Sequence, residues 1–126
     1  MTTVPIQVRY GDLDPRGHVN NVAYFSYLES ALVAFLRSLE PSPFGGLVVA
    51  RSECDFLVEI PGRTRTVDVR VAVERVGRTS FALAQEISVD GAVHARGRTV
   101  LVAVGADTRP RPLTDGERDQ LALHTA

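Results

Sequence analysis

The stretch from about Val22 to Leu39 contains neither glycine nor proline, and nothing else in the chain constrains its fold as strongly. Within it Tyr24, Leu28, Ala31, Leu32, Phe35 and Leu39 recur at spacings of three and four, the period of one helix face. Phe25, Tyr27, Val33 and Leu36 widen that face, so the helix is apolar over most of its circumference and belongs in an interior. Asn20 or Asn21 suits its N-cap. Pro41, Pro43, Gly45 and Gly46 end it.

The rest of the chain reads as strand. Val4, Ile6, Val8 and Tyr10 alternate with Gln7 and Arg9, the period of a half-buried strand. Leu47 to Ile60 is rich in Val and Phe and is closed by Pro61-Gly62. Val67, Val69, Val71 and Val73 alternate with polar residues up to a turn at Gly77-Arg78-Thr79. Phe81, Leu83, Gln85, Ile87 and Val89 share one face of the next strand, and Asp90-Gly91 predicts a two-residue hairpin turn into Val93 to Val104. The order is one strand, one long buried helix, then four consecutive antiparallel strands. That is an α+β arrangement in which the sheet must curl around the helix. The tail, Thr108 to Ala126, has a weak helical stretch from Asp115 to Leu123 and is expected outside the core.

At 126 residues the chain has room for one domain, residues 1–126, with its core over about 4–105 and a tail over 106–126. The formal charge of −1 argues against a nucleic-acid or membrane-surface partner, which calls for a basic excess. All 14 basic residues are Arg, which excludes Schiff-base chemistry through a lysine. Cys54 is the single cysteine, so an intramolecular disulfide and a Cys-based zinc cluster are both excluded. His94 and His124 show no ligand spacing with His18, and neither a metal nor a cofactor is expected. No apolar run reaches ~18 residues, and the N-terminus lacks the apolar core of a signal peptide. The expected location is the cytoplasm.

The chemistry concentrates in Asp12-Leu13-Asp14-Pro15-Arg16-Gly17-His18-Val19-Asn20-Asn21, two carboxylates, a histidine and two asparagines at the mouth of the helix. A carboxylate serves as nucleophile or general base. First-turn amides of a helix have no intrahelical partner and can hold an oxyanion. Acyl transfer to water needs these two elements and little more. Taken alone, such loop aspartates are more often turn and cap residues, and Asp12 is read as structural. Tyr24 and Tyr27 lie on the core stripe, where packing is their first role. A hydroxyl at such a position is also a candidate contact for an acyl group, and Tyr24 is retained as one.

Together with the aromatic-rich helix that follows, this segment resembles the signature of the 4-hydroxybenzoyl-CoA thioesterase-like family of hotdog-fold thioesterases. Its Gly17-His18-Val19-Asn20-Asn21 part is similar to the acyl-ACP thioesterases. The resemblance implies a hotdog fold and hydrolysis of an acyl-CoA thioester. Position by position it implies Asp14 as the essential carboxylate, Asn21 as the residue whose amide polarises the carbonyl, and Gly17 as the freedom that brings backbone to the thioester. His18 stands where many relatives carry another residue, and is a candidate for orienting Asp14 or a water. For CoA contacts the resemblance points to the turn before the fourth strand, hence Arg78 and Ser80. Guanidinium groups are good phosphate ligands through their planar fork of donors.

Two other functions compete. An acyl-ACP thioesterase differs only in the thiol carrier, and a non-catalytic acyl-thioester-binding module would share the fold without turnover. Hotdog enoyl hydratases resemble one another in a pattern whose Asp and His lie five apart; here His18 follows Asp14 by four and Asp12 by six, which disfavours that reaction. A helix filling the curled sheet leaves little interior for an acyl-CoA, a ligand needing several hundred Å³. The site is therefore expected between protomers of a homodimer or a dimer of dimers.

Overall fold

The computed structural model describes residues 2–125. The glycine- and proline-free stretch forms α1, Asn21–Arg37, and the Asn20 side chain caps it by accepting from the Val22 amide. Ala23, Tyr24, Tyr27, Leu28, Ala31, Leu32, Phe35 and Leu36 are its buried face. The strands are β1 (Thr2–Gln7), β2 (Leu47–Phe56), β3 (Thr66–Val76), β4 (Ser80–Val89) and β5 (Ala92–Ala103), and a short α2 (Asp115–Ala122) follows. Together they make one antiparallel sheet packed on α1, the hotdog arrangement. Asp90 and Gly91 both take positive φ, 49° and 82°, the geometry expected of their hairpin turn.

The strand order is β1-β3-β4-β5-β2, which corrects the reading of four strands paired in sequence. Pro61-Gly62 is not a hairpin turn. The chain leaves β2 at Phe56, crosses the sheet end through residues 57–65, and β2 pairs with β5 at the far edge. Hydrophobic period reports which face a strand buries, but not which strand it pairs with, so the swap left no mark in the pattern. The apolar Leu57 and Val58, which lengthened the expected strand to Ile60, are 49% and 54% exposed in that crossing.

Three further expectations are corrected. Tyr10 lies in a 3-10 turn, Tyr10–Asp12, and is 93% exposed rather than on a strand face. The tail does not lie outside the core: Leu113 and Leu121 are buried in it, and the Val73 amide bonds the His124 carbonyl. Thr114 and Glu117 cap α2 reciprocally, and Arg111 grips Glu117 with two bonds of 2.8 and 2.9 Å. That grip holds the Glu117 carboxyl down at about 2 against the cost of its burial. Ala126, the last residue of the expected tail, falls outside the described residues. Finally, α1 is not buried all round, because Val22 is exposed and Phe25 and Glu29 line an open cleft against β2.

Inside the core one polar tether joins sheet to helix. Gln85, 1% exposed, donates to the Leu28 carbonyl at 2.8 Å and accepts from the Thr99 hydroxyl at 2.8 Å. Each buried polar group there has its partner, so α1 is held at a fixed depth over β4 and β5 at little desolvation cost.

Candidate active site

The loop between β1 and α1 carries its two aspartates in opposite environments. Asp12 is 6% exposed. Its carboxylate accepts from the Arg9 amide at 2.9 Å, the Arg9 guanidinium at 3.0 Å and the Tyr27 hydroxyl at 2.8 Å. Its backbone carbonyl accepts from the Asn20 amide, so Asp12 ties the loop to α1 from both ends. Burial alone pushes the Asp12 carboxyl up, but the Arg9 amide, the Tyr27 hydroxyl and the Arg9 guanidinium outweigh it and hold the group below its ordinary range. Tyr27 is raised in turn by burial and by the carboxylate it serves.

Asp14 sits two residues on, with its side chain 15% exposed. Its Oδ1 accepts from the amides of Arg16 at 2.9 Å and His18 at 3.1 Å, and its Oδ2 accepts from the Arg16 guanidinium at 3.1 Å. The Asp14 amide donates back to the His18 carbonyl at 2.8 Å, closing a tight turn that needs Gly17 at φ +79°. The His18 amide above all, then Arg16, keeps the carboxyl below its ordinary value although partial burial opposes them. The result is an anion fixed in place by backbone.

His18 positions Asp14 through its amide, while its ring turns to Glu59. Nδ1 lies 2.9 Å from Glu59 Oε2, an ion-pair distance without the alignment of a hydrogen bond. Arg16 bridges the two acids, reaching Glu59 Oε1 at 2.7 Å and Asp14 Oδ2 at 3.1 Å. Glu59 is absent from the sequence reading because it lies 45 positions from Asp14, in a segment that read as strand. The signal that places it is tertiary. His18 pairs with Pro61, and Gly62 packs so tightly against the Gly17 carbonyl that a Cβ there would collide with it.

Asn21 opens α1, and no described residue bonds its amide. The free first-turn amide and the positive end of the helix dipole suit a developing oxyanion. Tyr24 is 2% exposed; its hydroxyl accepts from the Ile60 amide at 3.2 Å and its ring stands edge-on to Phe56 at 5.0 Å. That places it as a strut under the 57–62 segment. Arg78 and Ser80 lie in the β3–β4 turn, where the Arg78 carbonyl accepts from the Leu113 amide and the Arg118 guanidinium. β3 has 11 residues at about 3.3 Å each, so this turn is roughly 30 Å from the Asp14 end of the sheet. Within one chain the structure does not bring Arg78 and Ser80 to Asp14.

A cleft of about 320 Å³ opens between α1 and β2, lined by Phe25, Leu28, Glu29, Val49, Ser52 and Thr99. Burial pushes the Cys54 thiol of β2 up to about 11, which leaves it unreactive at neutral pH. Among the described residues no three His, Cys, Asp or Glu side chains converge on a common point, and no helix is long and apolar enough to cross a membrane.

Residues 8–121 match the family model described as the thioesterase-like superfamily. A thioesterase from Thermus thermophilus, solved in complex with coenzyme A and Zn, superimposes with a TM-score of 0.87 at 35% identity, over 96% of this chain and 91% of that one. A predicted thioesterase from Bacillus stearothermophilus gives a TM-score of 0.89 at 30% identity, over 98% and 96%. The uncharacterized protein YsmA of Bacillus subtilis (strain 168) is 28% identical over 125 residues, covering 95% of this chain and 84% of the relative.

Proposed function

Because the chain belongs to the thioesterase-like superfamily, we propose that this thioester hydrolase cleaves an acyl-CoA to the free acid and CoA, with Asp14 as its reacting carboxylate. The observation that carries the assignment is the contrast in what holds each acid. Asp12 has both oxygens engaged in a buried clamp. Asp14 is ionised and steered by two amides on Oδ1, while its Oδ2 contact is to an Arg16 that is 63% exposed. Such a surface pair is weak and screened, so Oδ2 is the atom open to a substrate carbon or a water. The similarity to a thioesterase solved with coenzyme A supports CoA as the thiol carrier.

In the reaction the thioester carbonyl points its oxygen at the Asn21 amide. Oδ2 either adds to the carbonyl carbon, expelling CoA thiolate and leaving a mixed anhydride that water cleaves, or takes a proton from a water that adds instead. Both routes break the C–S bond, pass through an oxyanion at the start of α1, and leave acid and thiol. The Gly17 turn keeps side chains out of that approach.

The acyl group occupies the cleft between α1 and β2, which a second copy completes. β2 has an open edge and presents Val48, Val49 and Phe56 at 48%, 53% and 44% exposure, a surface that edge-to-edge pairing of two sheets would cover. In such a homodimer Arg78 and Ser80 can serve only the site of the other protomer.

The test follows thiol release from acyl-CoAs of graded chain length and aromaticity. Release from at least one member is expected, and none from any would overturn the assignment. A single turnover in ¹⁸O-water then bears on the routes: an unlabelled enzyme oxygen in the first acid product requires an anhydride that water opens at the Asp14 carboxyl carbon, an outcome the general-base route cannot give.

A further inference from the structure

Resting on the reading of CoA as the carrier, we infer that its nucleotide phosphates bind on the same chain as Asp14, on the strip Arg63-Thr64-Arg65 beside the β4–β5 hairpin. The strip borders a cleft of about 440 Å³ lined by Pro61, Arg63, Thr64, Arg65, Asp90 and His94. A second cleft of about 400 Å³ shares Arg63, Thr64 and Arg65 from the other side, against Gln7 and Val8.

Three observations converge on an anion here. The first is connectivity. Pro61, at one end of the cleft, pairs with His18, and Gly62 abuts Gly17, so the cleft begins where the catalytic loop ends. Arg65 is four residues beyond Pro61, at most about 14 Å by chain reach. A pantetheine arm spans that order of distance, whereas the Arg78 turn of the same chain lies at the opposite end of β3.

The second observation is charge left over. Half of the 14 arginines stand in ion pairs with carboxylates, namely Arg9, Arg16, Arg51, Arg70, Arg96, Arg98 and Arg111. Arg63 and Arg65 have no acidic partner among the described residues, and both line the same cleft. Two guanidinium forks lining one cleft suit a diphosphate. Asp90 is the one acid among the residues lining the cleft, against two arginines.

The third is rigidity. The Arg65 carbonyl accepts from the Val8 amide and the Pro61 carbonyl from the Thr64 amide, while the His94 carbonyl accepts from the Leu57 and Val58 amides. The His94 ring holds Nδ1 2.8 Å from the Ala92 carbonyl, which leaves Nε2 for the cleft. Both walls are thus backbone-anchored before any ligand arrives.

The test compares acyl-CoA with the matching acyl-N-acetylcysteamine thioester, which keeps the reacting group and lacks every phosphate. In Arg63→Ala/Arg65→Ala the ratio of kcat/KM between these substrates should fall at least tenfold through KM, with kcat on saturating acyl-CoA within about twofold and melting unchanged; Arg63→Lys/Arg65→Lys should recover part of the loss. Calorimetry with CoA alone should show the same weakening of Kd in the alanine variant, and free phosphopantetheine should bind less tightly than CoA. An unchanged ratio and Kd, with Arg78→Ala producing the loss instead, would overturn the inference and move the phosphates to the far turn of a partner. An equal loss on both thioesters would also overturn it, by showing that the strip merely supports the loop. If the wild type hydrolyses neither thioester, the enzymatic reading fails by itself, and the CoA titration still decides whether this strip binds phosphate.

Discussion

Asp12 and Asp14 share a residue type, a loop and a lowered pKa, yet they sit in opposite environments. Asp12 is enclosed by Arg9 and Tyr27 and knits β1, the loop and α1 together. Asp14 is held by the amides of its own turn, its side chain 15% exposed, in the loop that leads into α1. Both carboxylates are kept ionised, so charge does not distinguish them. What does is whether one oxygen is held only by an exposed side chain, as Asp14 Oδ2 is by Arg16. A carboxylate whose oxygens are bonded inside the fold contributes stability. One whose second oxygen meets only an exposed guanidinium suits the reacting role proposed for Asp14.

The largest disturbance of the pair together should come from Gly62→Ala. The added Cβ collides with the Gly17 carbonyl and meets the Leu13 side chain, forcing the Asp14 turn away from α1. Displacement of a reacting group by about 1 Å costs on the order of 10²-fold in kcat/KM, and thiol-release kinetics should read a loss of that size. Activity within threefold of wild type would show that the turn has no fixed geometry to lose.

Asp12→Ala should strike stability rather than turnover. It leaves the Tyr27 hydroxyl buried without its acceptor, while the Arg9 half of the clamp is 64% exposed and counts for little. A loss of about 2 kcal/mol is expected, seen as roughly 6–10 °C in Tm. Tyr27→Phe, which removes one bond and keeps the ring, should cost about half as much. An unchanged melting curve for Asp12→Ala would erase the distinction between the two acids.

Acid should act on both through one sign. Each folded carboxyl titrates below its unfolded value, so its stabilisation is complete above an ordinary carboxylate pKa and is lost as pH falls through the lowered folded one. Glu117, at about 2 when folded, acts in the same direction. Denaturant melts should therefore show the loss of stability below about pH 4, and Asp12→Asn should flatten part of it. The acid limb of kcat/KM should likewise fall below 3.8, the ordinary value for Asp14.

Glu59→Gln should have the smallest effect. It weakens the exposed bridges to Arg16 and His18 but leaves both amides on Asp14 Oδ1, so kcat/KM should stay within about threefold.

Much of the fold was legible because it is local. The period of three and four placed α1, Asn20 capped it, and Asp90-Gly91 turned the hairpin. Strand pairing was not legible, since β2 could lie beside β3 or β5 with the same pattern. Nor was the burial of Leu113 and Leu121, which sit in a polar tail whose helix shows little apolar stripe. At the site, the Asp14 turn is contiguous and could be read from its residues. Glu59 reaches it only through the crossing from β2 to β3, which also carries the strip inferred to bind phosphate, and that crossing is a property of the sheet order.

Whether Asp14 is the reacting acid is tested most directly by one measurement. Thiol release from the best acyl-CoA substrate should fall about 10³-fold or more in Asp14→Asn, with a cooperative melting curve lowered only slightly, because the Asn oxygen can still accept from the Arg16 and His18 amides. Retention of more than about a tenth of the wild-type rate by a folded Asp14→Asn, less than the smallest loss expected of a general base or nucleophile, would contradict it.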